Sequence, residues 1–199
     1  NFKMFCLSLR PLLLENKGDI EKLEQIKNEF SILMGKEMQL MWAKKIGLEK
    51  YEEALINELF NLMVISKTDF TIFFRKLSYL PDNISFFKNS FYLPLTEDLV
   101  KKWNIWITKW HDCMKKNKVS KEISKSMKKV NPKFTWREWM IVPAYEEAEE
   151  GNYNLIRELQ SILSNPYEEQ SMEISQKYNS LKPRVFFNYG GISHYSCSS

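Results

Sequence analysis

From Ile20 to Met41 the apolar residues recur every three or four positions: Ile20, Leu23, Ile26, Phe30, Leu33, Met34, Met38 and Met41. That spacing paints one face of a helix starting near Asp19 and ending before Gly47. The Asp19 carboxylate can accept from the unpaired amides of a first turn, and Gly47 can take the left-handed conformation that stops a helix. Helical spacing returns at Tyr51–Ile65, and in a short segment from Phe70 to Leu77 capped by Thr68 or Asp69. It returns again after Glu97, where Trp103, Trp106 and Trp110 fall at i, i+3 and i+7. The three indoles share one stripe, which reads as core-facing rather than as a cofactor or carbohydrate platform. Phe86–Leu95 reads as a buried connection.

Asn131-Pro132 interrupts the pattern, because proline excludes the helical conformation from the residue before it. Helices resume at Trp136–Glu150 and Tyr153–Leu163 around Gly151-Asn152, a helix stop and restart suited to an αα-hairpin. From Gln170 onward periodicity fades into a polar, extended tail. Six Gly and seven Pro in 199 residues supply too few turns for a small-strand sandwich or barrel. With no internal repeat and no βαβ pattern, the fold class is all-α, with an irregular C-terminal tail. The divisions expected are 1–130, 131–169 and 170–199.

Charge and cysteine usage narrow the function classes. The chain carries +4 overall, yet Lys101–Lys133 holds eleven lysines against Asp112 and Glu122, a net of +9. Such a cluster can bind phosphate backbones by counterion release, but it contains no Arg, the residue of choice for phosphate and base recognition. A solvated face, or a docking surface for an acidic neighbour, is the reading favoured over nucleic acid. No apolar run is long enough to span a bilayer, so no membrane partner is expected. The chain opens on Asn1 with no signal segment behind it, which reads as a piece of a longer or processed chain. Cys6, Cys113 and Cys197 are too few for a disulfide framework or zinc cage, which points to an intracellular setting.

The residues offer little catalytic machinery. His111 and His194 sit in no ligand-spaced motif, and His111-Asp112-Cys113 on a helix point in different directions. Neither a G-x-G-x-x-G, a G-x-x-x-x-G-K-[ST] nor a G-x-S-x-G stretch occurs. Glu146, Glu147, Glu149 and Glu150 read as a solvated acidic face. Cys197, two residues from the end in a polar segment, has the accessibility that a redox or docking thiol needs, although no cation flanks it.

Several stretches together resemble the end of the selenoprotein O family. They are Asn131-Pro132-Lys133-Phe134, Arg137-Glu138-Trp139-Met140, Ala144-Tyr145-Glu146-Glu147-Ala148, Gly151-Asn152-Tyr153, Asn165-Pro166-Tyr167-Glu168-Glu169-Gln170 and Ser196-Cys197-Ser198-Ser199. Upstream, Leu40-Met41-Trp42-Ala43-Lys44-Lys45-Ile46-Gly47-Leu48, Leu55-Ile56-Asn57-Glu58-Leu59 and Thr68-Asp69-Phe70-Thr71-Ile72-Phe73-Phe74-Arg75 match in order and spacing. Asn1 through Leu13, with Pro11 in register, echoes the stretch that follows the family's catalytic core.

The resemblance implies a pseudokinase-like nucleotidyltransferase that moves AMP from ATP, with Mg2+ or Mn2+, onto Ser, Thr or Tyr hydroxyls of protein substrates. It implies the later helical lobe of a protein-kinase-like fold plus a C-terminal extension, whose partner is an upstream kinase-like core. The ATP-binding, metal-binding and catalytic residues belong to that core and have no counterpart here. Position 197 is selenocysteine in some members and Cys in others, so the resemblance assigns Cys197 a redox role, including bridging to a cysteine near the active site. It implies a mitochondrial setting in a eukaryote and a cytoplasmic one in a bacterium. Two departures are Val142-Pro143, with the proline in a first helical turn or kinking its helix, and the Lys-rich stretch 115–130. The rival reading is a non-catalytic helical module that docks acidic partners or RNA through Lys101–Lys133.

Overall fold

The computed structural model describes residues 1–13, 17–114 and 120–188. Its described residues form helices and connecting turns with no strand; one isolated bridge pairs Thr68 with Phe91. The all-α expectation holds.

Helix α1 (Phe2–Leu9) and a 3-10 turn (Arg10–Leu13) precede the long α2 (Lys17–Lys45). At 1.5 Å per residue α2 is roughly 44 Å long. Gly47 ends it at φ +73°, and a Cβ there would meet Met127 Sδ at 2.7 Å and Ile123 Cγ2 at 2.8 Å. The glycine therefore serves both the helix stop and the close approach of the helix that carries Ile123 and Met127.

Helices α3 (Glu53–Ile65), α4 (Phe70–Leu77), α5 (Glu97–Met114) and α6 (Ser120–Val130) build the main core with the end of α2. The α5 stripe organises it. Trp103, Trp106 and Trp110 are fully buried, and each indole N–H finds an acceptor. Trp103 Nε1 donates to Ser66 Oγ (3.2 Å), Trp106 Nε1 to the Leu55 carbonyl (2.9 Å) and Trp110 Nε1 to the Ile46 carbonyl (2.7 Å). Successive indoles reach successively earlier residues, so α5 runs antiparallel to α3. Aromatic burial of this kind dominates core energetics once the N–H is satisfied. Phe73 and Phe87, stacked at 4.7 Å, and Phe74 complete the cluster. The 84–95 connection is partly a 3-10 helix, Ile84–Ser90, with Ile84 and Phe87 inward and Phe86 exposed.

A second cluster follows Asn131-Pro132. Helices α7 (Glu138–Glu149) and α8 (Asn154–Ser164) form a hairpin about Gly151, at φ +85°. Pro143 lies inside α7, beyond its first turn, so it withholds one donor from the helix ladder. The stretch after Gln170, expected to be extended, contains α9 (Met172–Tyr178) and a 3-10 turn (Arg184–Asn188). Ser171 Oγ caps α9 by accepting from Ile174 N (3.2 Å). Tyr178 folds into the cluster with Phe134, Trp139, Met140, Leu159 and Ile162.

Candidate functional site: a charged seam beside a basic groove

Asp69 is the N-cap of α4, its Oδ1 accepting from Ile72 N at 3.0 Å. The same carboxylate receives both terminal nitrogens of Arg137, Nη1 to Oδ2 at 2.5 Å and Nη2 to Oδ1 at 2.9 Å. Arg137 is itself the residue that opens α7. This planar, bidentate fork is the strong form of an ion pair. Burial works against the Arg137 charge, but the hydrogen bonds to Asp69 outweigh it and raise the guanidinium above its usual range. Tyr92 donates its hydroxyl to Asp69 Oδ2 (3.4 Å) and accepts from Lys182 N (3.4 Å). Burial raises the Tyr92 phenol, so it stays a donor across the neutral range.

A second junction forms around Glu169. Arg75, with its side chain 3% exposed, donates Nη2 to Glu169 Oε1 at 2.6 Å, and Tyr79 donates to the same oxygen at 2.7 Å. Lys133 Nζ binds Oε2 at 2.7 Å and Ser175 Oγ at 2.8 Å. Burial opposes the Glu169 charge, yet the bonds from Lys133, Arg75 and Tyr79 win and hold it at about 2. Arg75 Nη1 also donates to the Lys128 and Asn131 carbonyls, both at 3.1 Å, satisfying the end of α6. Asn131, fully buried, donates Nδ2 to the Lys45 carbonyl (2.7 Å) and to Ser78 Oγ (3.1 Å). Lys133 and Phe134 amides donate to the Pro166 carbonyl. The two helical clusters are thus joined by charge and hydrogen bonds as well as by apolar contact.

Beside the seam lies an open groove of 1210 Å³, walled by α4, the 84–95 stretch, α9 and the segment to Arg184. Lys76, Lys88, Lys182 and Arg184 line it, and among the described residues no acidic side chain does. Lys76 Nζ donates to the Phe86 carbonyl (3.1 Å), and burial lowers its pKa. Lys182 Nζ sits 5.7 Å from the Phe187 ring centre.

The described residues singled out from sequence do not converge. Cys197 and His194 lie outside the described residues. His111 Nε2 is 3.0 Å from the Pro81 carbonyl and 3.8 Å from Asp82 Oδ1, while Cys113 is exposed near the end of α5. Among the described residues no three His, Cys, Asp or Glu side chains form a group able to hold a metal ion. Nor is any described helix long and apolar enough to cross a membrane. The lysine-rich segment is divided: Lys109 pairs with Glu58, Lys102 with Asp98, and Lys133 turns inward to Glu169.

No spacing in the sequence points to the seam, although its members sit in the stretches that carry the family resemblance. Asp69 and Arg75 lie in one, Asn131 and Lys133 in another, Arg137 in a third and Glu169 in a fourth. Those stretches describe how two helical groups are fastened.

A family model described as protein adenylyltransferase SelO matches residues 1–164. The chain belongs to the SelO family. A protein nucleotidyltransferase YdiU from Flavobacterium johnsoniae is 31% identical over 211 residues, covering all of this chain and 39% of that relative. The YdiU of Tolumonas auensis is 30% identical over 85% of this chain and 34% of its own length. That of Photobacterium profundum is 30% identical over 88% of this chain and 36% of its own. The chain spans between a third and two-fifths of these relatives. The seam residues up to Arg137 fall inside the SelO match, and Glu169 lies beyond it.

Proposed function

We propose that these residues are the C-terminal helical portion of a protein adenylyltransferase. The whole protein transfers AMP from ATP, with Mg2+ or Mn2+, to Ser, Thr or Tyr hydroxyls of other proteins. Within it, the 199 residues have a pair of tasks. One is a scaffold under an upstream kinase-like core; the other is a redox-responsive C-terminal segment carrying Cys197. In a bacterial cell its setting is the cytoplasm.

Membership of the SelO family carries the proposal, and an uncovered apolar face supports it. Helix α1 folds back on α2 through stacked Phe2 and Phe30 rings, 3.8 Å apart, and buried Cys6 and Leu23. Yet Met4, Phe5, Ile26, Leu33, Met34 and Met38 stay exposed, Leu33 by 57%. Large apolar side chains left exposed along one helical arm mark an interaction surface, and the relatives' additional length supplies a cover for it.

The test incubates labelled ATP and Mn2+ with the chain alone and with the chain joined to the upstream region that the relatives carry. Only the longer protein should label itself or an added protein with AMP. Transfer by the 199 residues alone would overturn the reading. In the longer protein, Cys197→Ser should abolish oxidant sensitivity and leave the reduced rate unchanged.

A further inference from the structure

We propose that the basic groove beside the seam docks an extended, acidic polypeptide segment bearing apolar side chains. The proposal concerns a partner, and it stands whether or not the whole protein transfers AMP. Its cations come from three separate stretches: Lys76 on α4, Lys88 on the 3-10 helix, and Lys182 with Arg184 after α9. None of them belongs to the lysine-rich segment 101–133. Among the described residues none of the four pairs with a carboxylate; Lys76 Nζ rests on the Phe86 carbonyl and Lys182 Nζ on the Phe187 ring, so the groove carries positive charge with no acidic counterpart among its described lining. Charge of one sign in a concave site attracts the opposite sign and speeds encounter.

The remaining features select among anions. Apolar Leu93 and Met172 line the groove while largely exposed, which suits apolar side chains more than a bare polyanion. The volume exceeds that of a typical small-ligand pocket, about 300–1,000 Å³, and a chain segment fills such a trough. Nucleic acid fits less well. Of the lining aromatics, Phe91 is buried and the Tyr92 ring already packs against Phe187, with centroids 6.1 Å apart, so neither stands free for base stacking.

The walls are already fixed, since Lys182 N binds Tyr92 and Ser175 receives Lys133. They therefore lose little freedom of their own on binding.

The probe is a fluorescent peptide alternating Glu or Asp with Leu and Phe. Comparisons are its Gln/Asn twin, a Glu/Ser twin without apolar residues, and heparin, followed by anisotropy at about 0.1 M and about 0.5 M salt. The acidic–apolar peptide should bind best and weaken with salt. Lys88→Glu with Lys182→Glu should cost at least about tenfold, while Lys121→Glu with Lys125→Glu on α6 should leave binding unchanged. In the unaltered protein, bound peptide should slow amide exchange across 84–95 and 175–184, a readout that needs no variant. Equal binding of either twin, equal loss from the α6 reversals, protection elsewhere, preference for heparin, or no binding would each overturn the proposal.

Discussion

The two halves of α2 obey the same periodicity and meet opposite fates. Near its C-terminus Ala43 and Ile46 are fully buried against α5 and α6, whereas Ile26, Leu33, Met34 and Met38 remain exposed. Apolar spacing specifies that a face will be covered; it does not say by what. In the main core the cover is on the same chain, namely the Trp103–Trp110 stripe. Along the α1–α2 arm the account assigns it to the upstream region of a longer protein.

The core half should break hardest. Trp106→Ala removes a fully buried indole and its bond to the Leu55 carbonyl, and should cost about 3–5 kcal/mol in urea unfolding. The seam comes next. Arg137→Ala leaves the buried Asp69 carboxylate without its fork and should cost about 3 kcal/mol. Its effect should concentrate on α7–α9, read as faster amide exchange there than in α5.

Acid sharpens the same division. Glu169 is lowered to about 2 in the folded chain, against about 4.3 when unfolded. Its contribution is therefore full above the unfolded value and is lost as pH falls through the folded one. The second junction should loosen between about pH 4.5 and 2, and Glu169→Gln should flatten stability across that window. The effect is modest, because the carboxylate is 51% exposed and solvent screens it.

Smallest of all is the arm. Leu33→Gln, Met34→Gln and Met38→Gln together should shift the stability of the isolated chain by no more than about 0.5 kcal/mol each. The same changes should weaken AMP transfer by the longer protein. A large loss of stability in the isolated chain would mean that the face is already covered.

What is legible in the sequence is local. The Asp69 cap, the Gly47 stop, the Gly151 turn and the tryptophan stripe each follow from residues within a few positions of one another. Helix α9 is not legible, because its seven residues hold too few apolar positions to show a period. Its burial rests on Tyr178 reaching α8, with the Tyr178 hydroxyl donating to Glu158. The seam is hidden for a different reason: its partners lie far apart along the chain, so neither propensity nor spacing links Asp69 to Arg137 or Arg75 to Glu169. The groove likewise draws its four cations from three stretches, none of which stands out in the charge pattern. Cys197 stands out by its place in a polar C-terminal stretch and by resemblance, and it lies outside the described residues.

The most direct test of the scaffold reading is amide hydrogen exchange along α2, in the chain alone and in the chain joined to the kinase-like region proposed to precede it. The account predicts that amides from about Glu24 to Leu40 exchange readily in the isolated chain and gain strong protection in the longer protein, while α5 is unchanged between the two. Equal protection of α2 in both would contradict it, because the exposed face would then have no partner upstream.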